Sequence, residues 1–244
     1  MRRSLTYTAA LLTTLLTACT PENRQGADLS IRFLTLLPVT SGQPHLDQIA
    51  LPSHEGLTFY SAQNPQVEKQ PFSYVTAITP EVQAYHDSVS VLPQASFPVL
   101  ASNINFGLKQ SGHEVYSYNG YKGRADALVR WYGGTRVAFL SLINPYPGNE
   151  QLHEQDMILL RNSVDRLQVR GIRNIVLLSQ YPSGLSPRLL TDIRGLDVVI
   201  SAGARSEITV TQQGCLAQFQ QSVVDQLELS FNPNGKVTRC HFQT

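Results

Sequence analysis

The chain has 244 residues, of which 42% are hydrophobic and 15% charged, and its formal charge is +1. This length is enough for one domain with a sizeable core, and the composition excludes a disordered chain. The near-neutral balance gives no electrostatic basis for binding nucleic acid, and so few charges suit an extracytoplasmic globular protein better than a cytosolic one.

The N-terminus carries the clearest signal. Met1-Arg2-Arg3 is a short positive segment, and the apolar, Thr-rich run "LTYTAALLTTLLTA" follows it, ending at Leu16-Thr17-Ala18-Cys19. The run is short for a membrane span and suits a secretory leader. Small residues before a cysteine resemble the lipobox of bacterial lipoproteins. The resemblance implies cleavage before Cys19, acylation there and partnership with a membrane through the lipid; the alternative is an ordinary leader with an incidental cysteine. Thr20 in place of an aspartate favours the outer membrane over inner-membrane retention, with the domain facing the periplasm. With Arg2 and Arg3 gone, the 19 basic residues become 17 against 18 acidic ones, a net of −1. The expected organisation is a leader over 1–18, a polar tether over 19–28 containing "TPENRQGAD", and a single domain over 29–244.

Taken in chain order, "LSIRFLTLL" (29–37) predicts a strand, and residues 38–75 look irregular except for "LTFYSA". "TPEVQAYHDSVSVL" (79–92) predicts a helix capped by Thr79 with Pro80 in its first turn. "FPVLASNI" (97–104) and "TRVAFLSLI" (135–143) read as strands. In residues 149–171, apolar positions 152, 157, 159, 160, 164 and 167 have helical spacing, closed by Gly171. "NIVLLS" (174–179) and "DVVIS" (197–201) are buried strands, with a short helix between them over 186–193 and Ser186 as its N-cap. "SEITVTQ" (206–212), "DQLELSFN" (225–232) and "KVTRCHF" (236–242) alternate like half-solvated strands, the last two joined at "PNG". Helices alternating with apolar strands, then a β-rich tail, predict an α/β sandwich. Cys215 and Cys240 fall in that tail, where adjacent strands would bring them within reach of a disulfide in an oxidising compartment; two buried free thiols are the alternative.

Five segments, in order, resemble the catalytic domain of the 5′-nucleotidase branch of the calcineurin-like metallophosphoesterases. "TPEVQAYHDSVSVLPQASFPVLASNI" resembles the helix after the Gly-Asn-His motif and the strand ending in a small residue and Asn, here Asn103. "GGTRVAFLSL" resembles the next strand, and "DRLQVRGIRNIVLLSQ" the helix and strand ending in Leu-Ser-His, with Gln180 at the histidine. "LLTDIRGLDVVISAGARS" resembles the segment ending in Gly-Gly-His, and the tail resembles the closing strands. The resemblance covers about two-thirds of the chain. It implies a four-layer αββα sandwich, truncated to a single domain, with a site at strand C-termini. It also implies two metal ions held by a bridging carboxylate and several His, Asn and Asp ligands from separate loops.

Those ligands are missing from the matching positions. Leu37-Pro38-Val39-Thr40 replaces Asp-x-His, and Thr76-Ala77-Ile78-Thr79 replaces Gly-Asn-His. No Gly-Asp dipeptide occurs, Gln180 replaces one late histidine, and Ser201-Ala202-Gly203-Ala204-Arg205 replaces the other late loop. The six histidines (45, 54, 86, 113, 153 and 241) form no His-Glu-x-x-His, and "YPSGL" around Ser183 is not a Gly-x-Ser-x-Gly elbow. No Gly-x-Gly-x-x-Gly or phosphate-binding loop is present. The expectation is a degenerate member with no catalytic or metal residues and no cofactor. A vestigial cleft would be lined by Asn103, Gln180, Ser201, Gly203 and Arg205, and would take a protein partner or a small anionic ligand. The alternative is a metal-dependent phosphohydrolase of nucleotides or other phosphorylated metabolites.

Overall fold

The structure, a computed structural model, describes residues 26–36, 57–62, 73–75, 99–105, 115–142, 151–220 and 225–243. The first half contributes β1 (Ala27–Leu36), β2 (Leu57–Ala62), β3 (Ser73–Val75), β4 (Val99–Ala101), β5 (Val115–Asn119) and β6 (Arg124–Ala125). Then come β7 (Leu128–Tyr132), β8 (Thr135–Leu142), helix α1 (Glu154–Val169), β9 (Asn174–Ser179), helix α2 (Ser186–Asp192) and β10 (Val198–Gly203). The tail adds β11 (Glu207–Val210), β12 (Cys215–Gln220), β13 (Asp225–Phe231) and β14 (Val237–Phe242).

Two sheets result. One has eight strands in the order β14-β13-β1-β2-β3-β4-β5-β6, and the other has six in the order β11-β12-β10-β9-β8-β7. In the smaller sheet β8, β9, β10 and β12 run parallel, with antiparallel β7 and β11 at the edges. Helices α1 and α2 are the crossovers that parallel neighbours require. Every residue of β9 is buried, as expected for a central strand covered on both faces.

Alternation sorts the side chains. Val137 and Phe139 of β8, Val176 and Leu178 of β9, and Val198 and Ile200 of β10 point into a core shared with Leu29, Leu227, Leu229 and Phe231 of the larger sheet. Their neighbours Ala138, Leu140, Ile175, Leu177 and Val199 point the other way, onto Met157, Leu160 and Val164 of α1 and Leu189 and Leu190 of α2. The described residues therefore form three layers: helices, six-stranded sheet, eight-stranded sheet. The helix expected over 79–92 lies outside the described residues.

All six positions that set the helical period of α1, including Leu152 just before it, are buried. The helix starts at Glu154, later than 149, and closes on Gly171 with φ +76°. There the Ile172 amide donates to the Leu167 carbonyl at 3.0 Å and the Gly171 amide to Gln168 at 2.8 Å, the paired bonds of a Schellman cap. Ser186 is not an N-cap. Leu185 occupies that position, and the Ser186 hydroxyl turns to Ser201 instead. β1 starts at Ala27, two residues before the expected strand, and β3, β5, β6 and β7 add strands where none was anticipated.

Cys215 and Cys240 form a disulfide, with Cα atoms 6.5 Å apart. It joins β12 of one sheet to β14 of the other, a sheet-to-sheet staple rather than a bridge between neighbouring strands.

Candidate functional site

Parallel strands bring their C-terminal ends to one rim. In register across the six-stranded sheet, Leu142 of β8 stands beside Ser179 of β9, Ser201 of β10, Gln218 of β12 and Glu207 of β11. β4 ends at the same rim. Past its end Ser102 braces the two sheets: its amide donates to the Ser141 hydroxyl oxygen at 3.2 Å, and the Ser141 amide donates to the Ser102 hydroxyl oxygen at 2.9 Å. Both serines are fully buried, so each amide depends on the other's side chain.

The next residue starts a polar cluster. Asn103 donates its Nδ2 to Oδ2 of Asp156 at 3.2 Å, and the Tyr181 hydroxyl donates to the same oxygen at 3.2 Å. Asp156 lies in the first turn of α1, and Tyr181, 1% exposed, follows β9. Burial raises the Asp156 pKa above the usual carboxylate range, with the hydrogen bonds from Tyr181 and Asn103 and the nearby His153 opposing it. Burial also raises the Tyr181 pKa, and the Asp156 charge and hydrogen bond raise it further, so the phenol stays a donor. Gln180 is half-buried beside this cluster, and its amide donates to the Leu142 carbonyl at 2.9 Å.

A second polar group lies on the helix side of the rim. Ser186 donates its hydroxyl to Ser201 at 3.1 Å, both residues being buried. They line a cleft of about 220 Å³ with Ser183, Glu207, Thr209 and Gln218. Arg205 is exposed and committed to Glu207, with Nε and Nη2 at 3.0 and 2.9 Å from Oε2. Its own carbonyl accepts from Gln218 Nε2 at 3.0 Å. Gly203 is the last residue of β10.

The five residues expected to line one cleft thus divide between two places on the rim. Asn103 and Gln180 are at the β4–β8–β9 end, and Ser201, Gly203 and Arg205 at the β10–β12 end. Asp156, Tyr181, Ser186 and Glu207 were missed. Asp156 reads in sequence as an ordinary acid complementing a helix N-terminus; the one local hint is that Tyr181 adjoins Gln180. Among the described residues the rim offers neutral serines, Asn103, Gln180 and Gln218, with Asp156 bonded to Asn103 and Tyr181 and Glu207 paired with Arg205. Among the described residues no three His, Cys, Asp or Glu side chains gather as metal ligands would. His153 and His241 are exposed, and the other four histidines lie outside the described residues.

No protein-family model matches the chain, and no curated protein does. Solved structures do. NAD nucleotidase (NadN) of Haemophilus influenzae matches with TM-score 0.54 and 14% identity over 88% of this chain and 50% of its own. A 5′-nucleotidase precursor from Thermus thermophilus matches with TM-score 0.53 and 15% identity over 88% and 54%. The sulfate thiohydrolase SoxB of Thermus thermophilus, solved with glycerol, matches with TM-score 0.51 and 13% identity over 77% and 38%. The chain is similar in fold to these metallophosphoesterase-type proteins and spans about half the length of the first two.

Proposed function

We propose that the chain is a lipid-anchored envelope protein, facing the periplasm from the outer membrane, that keeps a 5′-nucleotidase-like fold as a non-catalytic binding module. The observation that carries this reading is the chemistry of the rim. Ser179 and Ser201 stand side by side at the ends of β9 and β10, where the resemblance places the two late metal-binding loops, and Gln218 of β12 stands next to Ser201. Two-metal hydrolysis needs a bridging carboxylate and several further ligands between ions about 4 Å apart. Neutral hydroxyl and amide groups do not hold two divalent cations. What they suit is a small ligand that both gives and accepts hydrogen bonds, seated in the cleft lined by Ser186 and Ser201. With Arg205 held by Glu207, a bound anion would have to displace that pairing. The four-layer αββα arrangement that the resemblance implies is part of this reading.

The test is metal content and hydrolysis on the purified chain. The expected result is no stoichiometric Zn, Mn, Fe or Ca, and no hydrolysis of nucleotides or a generic phosphodiester above background. About two metal ions per chain, with activity lost to a chelator, would overturn the reading in favour of a phosphohydrolase.

A further inference from the structure

The end of the molecule opposite that rim differs in composition, and the chain enters the domain there. The carbonyl oxygen of Gly26 lies 3.3 Å from where a side chain on Gly133 would begin, so the entry point rests against the β7–β8 turn. Gly133 and Gly134 have φ +54° and +84°, the paired left-handed residues of a tight two-residue hairpin turn. Just before the turn stands Trp131, 63% exposed and paired across the hairpin with Arg136, whose guanidinium sits 5.6 Å from the ring centroid. Arg136 also donates to the Arg170 carbonyl at 3.0 Å, at the C-terminus of α1.

More basic residues gather around this point. Arg173 meets Gly235 in the β13–β14 turn, next to Lys236, and Gly195, which follows Arg194, packs on Gln168 of α1. Arg170, Arg173, Arg194, Lys236 and Arg166 in the last turn of α1 are exposed. Against these and Arg136 stand, among the described residues, the exposed acids Asp28 and Asp165. Asp197, also at this end, turns its carboxylate to the Ile175 amide. The whole chain is nearly neutral, so among the described residues this face carries a local basic excess.

We infer that the face formed by the β7–β8 turn and the N-terminal ends of β8, β9 and β10 lies against an anionic phospholipid surface. Trp131 and the surrounding arginines sit in the headgroup layer. Three features favour this occupant. A tryptophan with an apolar body and a polar edge suits the membrane–water boundary, and clustered Arg and Lys are attracted to anionic headgroups. The third is reach: seven residue steps from Cys19 to Gly26 span at most about 25 Å, so a lipid on Cys19 would hold this face close to the bilayer. The rim with its serine cleft then points away from the membrane, toward soluble ligands. The reach rests on Cys19 being the anchor.

Trp131 is the only tryptophan in the chain, so its fluorescence reports on this face alone. The full chain, extracted in detergent, is weighed intact for lipid on Cys19. It is then reconstituted into phosphatidylglycerol/phosphatidylethanolamine vesicles carrying a headgroup-proximal spin-label quencher. A lipidated chain should lose more of its Trp131 emission in anionic vesicles than in phosphatidylcholine. Salt near 1 M, where the screening length falls to about 3 Å, should restore the emission, and so should Arg170→Glu/Arg173→Glu. A lipidated chain with unquenched Trp131 overturns the membrane face and leaves the anchor standing. An unlipidated chain quenched by added anionic vesicles with the same salt dependence supports the face and overturns the anchor. One that is unlipidated and unquenched overturns both.

Discussion

Asp197 shows how much one buried residue can set. Its carboxylate lies at the start of β10 and accepts the Ile175 amide at 2.8 Å, while burial pushes its pKa up to about 8 against that stabilising hydrogen bond. In the unfolded chain it ionises near pH 3.9. Between those values the folded state holds a proton that the unfolded state has released, so the contribution of Asp197 to stability falls as pH rises from about 4 to about 8. Asp197→Asn keeps an acceptor for Ile175 and removes the titration. Thermal unfolding compared at about pH 5 and about pH 8.5 should show a steeper loss for the wild type than for the variant. Parallel losses in the two proteins would mean that Asp197 ionises normally in the fold. Nothing local in "RGLDVVIS" marks this aspartate, because its environment comes from β9 and the β11–β12 turn. The cluster of Asn103, Asp156 and Tyr181 is hidden in the same way: its members are 53 and 25 residues apart and meet only when β4, α1 and β9 converge. Ser102 and Ser141, which brace the sheets, read in sequence as two small polar residues.

Among elements, those whose signal is periodic were legible and those whose partner is distant were not. β9 spans 174–179 as expected, because the short apolar run Ile175–Leu178, too brief for a helix, suits a strand covered on both faces. Helix α1 follows from its spacing and its glycine stop. The stop is testable: Gly171→Ala places a Cβ at φ +76°, which costs an L-residue about 1–2 kcal/mol. Urea unfolding should find that loss, whereas Val169→Ala, an exposed site two residues earlier, should change little. Equal stabilities for the wild type and Gly171→Ala would show that the cap does not depend on a left-handed residue. By contrast β3, β5 and β6 have two to five residues each and owe their conformation to neighbouring strands. The β7–β8 hairpin did carry a signal, the Gly133-Gly134 pair between two β-rich runs.

For the molecule as a whole the disulfide is the feature with the longest reach. It closes a separation of 25 residues, and in the chain-entropy description a loop of that size is worth about 3–4 kcal/mol through the unfolded state. Cys215→Ser and the Cys215→Ser/Cys240→Ser double variant should therefore lower the unfolding temperature by similar amounts, since either change removes one bond. Thiol titration of the unfolded, unreduced chain should find neither cysteine free; two reactive thiols would contradict the bridge.

The sequence alone determined the alternation of helices with apolar strands, the burial of the central parallel strands and the β-rich tail that holds the two cysteines. It also showed that the late loops lack histidine. These are properties of short windows, in which side-chain period and identity suffice. Only the tertiary structure decided that the disulfide joins two sheets, that the expected cleft residues divide between two polar groups on one rim, and that basic side chains from β8, α1 and three turns share a face with Trp131. Each of these depends on which strand ends come together. Parallel pairing sets that through crossovers tens of residues long, so no local pattern in the chain records it.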